Sequence, residues 1–93
     1  MMRGYEYLFI FDPQEENTKK AIQNVRERYA NMGVNLMKEE EMGKRRLAYE
    51  IKKKTDGFYY VTQIEVDDLT KLQEFERDLT LDQNVIRFMR VRI

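Results

Sequence analysis

The sequence predicts an α+β sandwich, a four-stranded antiparallel sheet with two helices on one face. Three observations lead there. Four segments have the composition and two-residue alternation of strands, and two others repeat apolar residues at helical spacing. The six follow one another as strand, helix, strand, strand, helix, strand, and 93 residues leave room for a single domain, 1–93, around one core.

The first strand is YEYLFIF (5–11), rich in aromatic and aliphatic residues and stopped by the turn dipeptide Asp12-Pro13. Tyr7, Phe9 and Phe11 share one of its faces; Glu6, Leu8 and Ile10 share the other. Ile22, Val25, Tyr29 and Met32 then recur at spacings of 3, 4 and 3, a helical stripe. Asn17 or Thr18 is expected to cap its start, and Gly33 to end it in the left-handed conformation. Next comes a strand in which Leu47, Tyr49 and Ile51 alternate with Ala48, Glu50 and Lys52, one face buried, with Gly43 as a bulge. Asp56-Gly57 signals a hairpin. In the returning strand FYYVTQIEV (58–66), Tyr60, Thr62, Ile64 and Val66 oppose Tyr59, Val61, Gln63 and Glu65. Asp67-Asp68 caps a second helix with Leu69, Leu72, Phe75 and Leu79 on one side, ended by Asp82-Gln83-Asn84. VIRFMRVRI (85–93) closes the fold, Val85, Met89, Val91 and Ile93 on one face. This order is the ferredoxin-like βαββαβ arrangement, whose crossovers put the first and third strands in the centre and leave one sheet face open.

Composition narrows the function. With no Cys and no His, disulfides, thiolate nucleophiles, the commonest metal ligand and the commonest neutral-pH acid/base are all missing. No enzyme, cofactor, metal or small-molecule substrate is expected. There is no apolar run long enough for a membrane span, and the start MMRGYEYLFIFD lacks a leader's cleavage pattern, so the expected compartment is cytoplasmic. An acylphosphatase-like enzyme on this fold would want an arginine-bearing anion loop after the first strand, where DPQEEN is acidic. Glu39, Glu40 and Glu41 alternate sides on a strand and do not converge on a cation, which leaves them a solvated charge run.

Formal net charge is zero, but the charge is unevenly spread. GKRRLAYEIKKKTDGFYY (43–60) gathers six basic residues and four aromatics, and RFMRVRI (87–93) holds three Arg and no acid. At a screening length of about 8 Å a ligand feels the local patch. Arg3, Arg45, Arg46, Lys52, Lys53, Lys54, Arg87, Arg90 and Arg92 are therefore the candidate RNA-phosphate contacts, since Arg and Lys suit phosphate oxygens and two separated clusters suit a folded RNA. If the helices cover Tyr7, Phe9, Tyr60, Ile64, Met89 and Val91, the open face presents Leu8, Ile10, Tyr59, Val61 and Phe88, bordered by Arg90 and Arg92. Leu8, Tyr59, Val61 and Phe88 are the candidate partner contacts. The competing expectations are a half-wet sheet with lysines guarding an edge, which makes a protein-only interaction domain, and a single-stranded RNA-binding module. DGFYYV partly matches the signature of RNA-recognition domains, but that signature needs Phe58 and Tyr60 on the open face, and Tyr60 shares its side with Ile64 and Val66.

Tyr5-Glu6, Asp12-Pro13, EMGKRRLAYEI (41–51), DGFYYV and LDQNVIRFM (81–89) together resemble the bacterial small-subunit ribosomal protein S6 family over nearly the whole chain. The E-x-G-x-R-R-L-A-Y block is the specific part. The resemblance implies a ferredoxin-like structural protein of the small ribosomal subunit that binds the central domain of the small-subunit ribosomal RNA together with a small basic partner, ribosomal protein S18. Arg45, Arg46, Leu47, Ala48 and Tyr49 match that block, with Leu47 and Tyr49 expected to pack. Some relatives carry an acidic tail after the last strand, where this sequence ends at Ile93, and Arg90 stands where aliphatic residues are common.

Overall fold

A computed structural model describes residues 2–93. It contains β1 (Arg3–Phe11), α1 (Glu15–Met32), β2 (Asn35–Ile51), β3 (Lys54–Val66), α2 (Leu69–Leu81) and β4 (Val85–Arg92). The sheet order is β2-β3-β1-β4 and every pairing is antiparallel, so β1 and β3 are central as expected. Both helices lie on the side of Tyr7, Phe9, Phe11, Tyr60 and Ile64, where Ile22, Val25 and Tyr29 of α1 and Leu72, Phe75 and Leu79 of α2 complete the core.

Alternation on β1 aligns three rings. Tyr7 stacks on Phe9 at 5.5 Å and Phe9 on Phe11 at 5.4 Å between centroids, while Phe75 of α2 meets Tyr7 and Phe9 edge-on. Such pairings add about 0.5–1.5 kcal/mol each to the gain from burial. The polar tips of the three fully buried tyrosines are satisfied: Tyr7 donates to Glu76 at 2.7 Å, Tyr60 to Glu39, and Tyr29 shares a 2.7 Å bond with the fully buried Thr62. Burial first, and the glutamate beside Tyr7 and Tyr60, push these phenols above their ordinary pKa, so they stay neutral donors.

Four local features depart from the sequence reading. First, α1 begins at Glu15 with Gln14 as N-cap, not at Asn17 or Thr18. The Asp12 carboxylate accepts the Gln14 N–H at 3.0 Å and Thr18 Oγ1 donates to the Asp12 carbonyl at 2.6 Å, so the turn around Pro13 is tied down three residues early. Glu15 and Glu16 in the first turn then favour the helix dipole. Gly33 ends the helix at φ 72°, as expected.

Second, the hairpin turns at Lys52-Lys53, not at Asp56-Gly57. Both lysines have positive φ, 50° and 64°, between the paired Ile51 and Lys54, which is the two-residue type I′ geometry. Gly57 lies inside β3 opposite Arg45. A Cβ there would sit 2.3 Å from Ile10 Cγ2 and 3.4 Å from Leu47 Cδ2, so this glycine answers a close approach and not a turn.

Third, the β2–β3 ladder loosens past Arg46↔Asp56, and four residues of β2 face one of β3 before Ile51↔Lys54. Released from alternation, Leu47 folds over the helix-free face into a second small cluster with Ile10 and Ile86, while Tyr49 stands 63% exposed where packing was expected.

Fourth, β4 has the opposite parity. Phe11 pairs with Val85 but Ile10 with Arg87, so Ile86 is an inserted residue. Phe88 consequently lies opposite Phe9 and packs against the main core, while Met89 and Val91 take the open face, each 50% exposed.

Two stability predictions follow from these contacts. Gly57→Ala should lower the urea-unfolding free energy by about 1–3 kcal/mol, because Ile10 is branched at Cβ and cannot swing aside cheaply. The second concerns pH. The Gln14 N–H and then the Lys54 ammonium at 3.2 Å hold the Asp12 carboxyl below its ordinary range, and Arg26 does the same to Glu39. A depressed folded pKa contributes stability above the unfolded value, about 4, that is lost as pH falls through the folded value. Asp12→Asn should therefore cost roughly 1 kcal/mol at pH 7, and its gap from the parent should close in urea titrations near pH 2.

Candidate nucleic-acid interface

The helix-free face has an apolar centre and a cationic end. Cross-strand pairing puts Leu8, Val61 and Met89 in one row and Tyr59, Ile10 and Arg87 in the next toward the hairpin. Leu8, Ile10, Tyr59, Arg87, Phe88 and Met89 line a shallow depression of about 200 Å³. At the other end of the face Gln63 donates to Glu6 at 3.1 Å, and Glu65 pairs across with Gly4. Of the expected partner contacts, Leu8, Tyr59 and Val61 share this face. Phe88 borders the depression but lies opposite Phe9 and packs against the main core, for the parity reason above, and Met89 and Val91 stand in its place on the open face. The sequence carries only a faint hint of this insertion, the adjacent apolar pair Val85-Ile86.

The cations divide into three groups. Residues 44–56 hold six cations against two acids, and Arg87 of β4 joins them because the hairpin reaches across the sheet end. Lys52 Nζ donates to the Val85 carbonyl at 3.3 Å and Arg87 Nη1 to Tyr49 Oη at 2.8 Å. Arg45 lies 5.9 Å over the Tyr59 ring on the open face. Among the described residues Lys44, Arg45, Arg46, Lys52, Lys53 and Arg87 form no ion pair. Lys54 and Arg90 differ, because their charge is used inside the fold. Lys54 meets Asp12, and Arg90 faces the helices, 2.9 Å from Glu76 and 5.4 Å over the Tyr5 ring. Arg90 and Arg92 were expected to border the open face, and the β4 bulge turns both away, opposite Tyr7 and Tyr5. Arg3 and Arg92 form a third group at the opposite sheet end, with the nine-residue β1, about 26 Å between its ends, separating Arg3 from the hairpin end.

The aromatic run at the hairpin gives no base-stacking platform of the RNA-recognition type. Tyr60 is fully buried under the helices and Phe58 packs against the same core. The glutamate run alternates as expected: Glu39 pairs with Arg26 at 2.6 Å on the helix side, whereas Glu40 lies opposite Val61.

A family model described as ribosomal protein S6 matches residues 4–92. The chain belongs to the ribosomal protein S6 family. Small ribosomal subunit protein bS6 of Fusobacterium nucleatum is 38% identical over 93 residues, 98% of each chain. The bS6 of Halalkalibacterium halodurans is 39% identical over 90 residues, covering 95% of this chain and 94% of that protein. The crystal structure of 30S ribosomal protein S6 from Thermotoga maritima superposes with a TM-score of 0.90 at 32% identity, covering 100% of this chain and 89% of that one. The C-terminal domain of MgtC from Mycobacterium tuberculosis, 13% identical with a TM-score of 0.73, shares the fold alone. As an S6-family member the chain is a structural protein of the small ribosomal subunit.

The turn carries a testable trade-off. Two lysines occupy left-handed positions where Asn-Gly is favoured, a conformation that costs a non-glycine residue about 1 kcal/mol or more. Lys52→Asn with Lys53→Gly should therefore raise the unfolding free energy by about 1 kcal/mol in urea titrations. If those charges contact RNA, the same double variant should bind it more weakly and with a shallower salt dependence.

Proposed function

We propose that this S6-family protein binds the central domain of the small-subunit ribosomal RNA jointly with ribosomal protein S18, dividing the work between two parts of one surface. The hairpin cations contact phosphate, and the open face with Leu8, Tyr59, Val61, Met89 and Val91 receives the protein partner. The observation that carries the reading is the group of cations at the hairpin, six of which form no ion pair among the described residues in a chain that is neutral as a whole. Elsewhere the chain pairs its charges readily, as Arg26, Arg28 and Arg90 do with Glu39, Asp78 and Glu76. Lys44, Arg45, Arg46, Lys52, Lys53 and Arg87 form the primary phosphate set. Arg3 and Arg92 form a second, distant set, and Lys54 and Arg90 contribute little because leaving Asp12 and Glu76 would uncover those acids.

Joint binding also accounts for the neutrality. A basic partner seated on the open face would supply phosphate neutralisation that this chain lacks, and its own charge would be drawn toward Glu6 and Glu65 at the far end of that face.

Filter binding of a central-domain RNA fragment, with and without S18 and across a salt series, tests this. Tight, salt-dependent binding only with the partner is expected. Arg46→Ala should lower the slope of log K against log salt by about one unit. Val61→Lys should weaken partner binding while leaving the slope for the preformed pair unchanged. RNA binding equally tight without the partner, or unaffected by Arg46→Ala, would overturn the division of labour.

A further inference from the structure

Neither packing nor charge accounts for Tyr49. Its ring is 63% exposed, although Leu47, two residues earlier on the same strand, is buried. It lies in the stretch of β2 where the ladder with β3 is interrupted, so no cross-strand neighbour covers it. Its hydroxyl is nonetheless held from the far side of the sheet, by Arg87 Nη1 at 2.8 Å. A phenol fixed at its tip with its faces in water is ordered before any ligand arrives. An aromatic left in that state offers a π-face whose ordering entropy has been partly met in advance.

The surroundings select the ligand. Arg46 and Lys52 lie three residues to either side of Tyr49, and with Arg87 they form no ion pair among the described residues. A flat ring bracketed by free cations matches a nucleotide, which joins a π-face to a phosphate. Bases within an RNA helix are stacked on each other and present only their edges, so the ring fits an unpaired base turned out of its helix. Resting on the RNA-binding reading above, we propose that Tyr49 stacks on one unpaired nucleobase of the bound RNA while Arg46, Lys52 and Arg87 hold the phosphates beside it.

Three substitutions at Tyr49 test this in the RNA–S18 titration. Tyr49→Leu should weaken binding about tenfold, about 1.4 kcal/mol, with the salt slope unchanged. Tyr49→Phe keeps the face and loses the hydroxyl, and should bind within about threefold of the parent. Because the chain has no tryptophan, Tyr49→Trp introduces a single reporter, whose emission should be quenched when the RNA fragment binds. The ring is exposed, so thermal unfolding should move little in all three. A Tyr49→Phe loss as large as that of Tyr49→Leu would make the residue a prop for Arg87, and overturn the assignment. So would an unquenched tryptophan, or a Tyr49→Leu variant that binds like the parent while Arg46→Ala still lowers the salt slope; those results leave the RNA-binding reading standing. A parent protein that shows no salt-dependent RNA binding would overturn both.

Discussion

Strict alternation along β1 is the constraint on which the rest of the molecule depends. Tyr5, Tyr7, Phe9 and Phe11 all point to one side, where burying their rings against α1 and α2 supplies much of the driving force for folding. That commitment decides the other side as well, since Glu6, Leu8 and Ile10 must then face away from the helices. A one-residue slip of β1 against β3 would exchange the two sets and expose four rings. The open face is therefore a by-product of the core, and its chemistry had to be assembled from the residues left over: Leu8 and Ile10 from β1, Tyr59 and Val61 from β3, Met89 and Val91 from β4.

Alternation was also what made the fold legible, and its failures mark where legibility stopped. Strands β1 and β3 keep the two-residue period in their pairing and, except for Ile10, which Leu47 and Ile86 cover on the open face, their buried and open residues agree with the sequence pattern. So does the α1 stripe of Ile22, Val25 and Tyr29, and so do the caps at Gly33 and Asp68. In β4, one inserted residue at Ile86 inverts everything after it, exchanging Phe88 and Arg90 with Met89 and Val91. Bulges are set by three-dimensional fit and leave little mark beyond two adjacent apolar residues. The hairpin was misplaced because Asp-Gly is a strong local signal, yet at Gly57 the absence of a side chain serves Ile10 instead. Asp12 anchors α1 through bonds to Gln14 and Thr18 that a cap-first reading assigns to the wrong residue.

The candidate site was legible as a set of cations but not as an arrangement. Sequence distance could not separate Lys54 and Arg90, consumed by Asp12 and Glu76, from Arg45 and Arg87, which form no ion pair among the described residues. Nor could it bring Arg87 to the hairpin, because that meeting needs residues 47–52 to cross the end of β1 and reach β4. The small cluster of Ile10, Leu47 and Ile86 holds this crossing in place.

That crossing has a consequence for how charge is distributed. A hairpin ending in two lysines with positive φ, next to Arg45 and Arg46, concentrates like charge that, apart from Lys54, enters no ion pair among the described residues. Self-repulsion and backbone strain both act against the folded hairpin, and the apolar contact of Leu47 with Ile10 and Ile86 opposes them. Strain and unpaired charge persist together where the surrounding structure over-determines the conformation and a ligand later relieves the cost. Phosphate would relieve the repulsion by pairing with the cations, and so would make the hairpin more stable when bound than when free. Most acids of this neutral chain lie elsewhere, on α1 and α2, on β2 before Gly43 and at the far end of the open face, and of the acids at the hairpin end Asp12 is taken up by Lys54. An acid paired with Lys52, Lys53, Arg45 or Arg46 would stabilise the free hairpin, and under the proposed reading it would compete with phosphate for those cations.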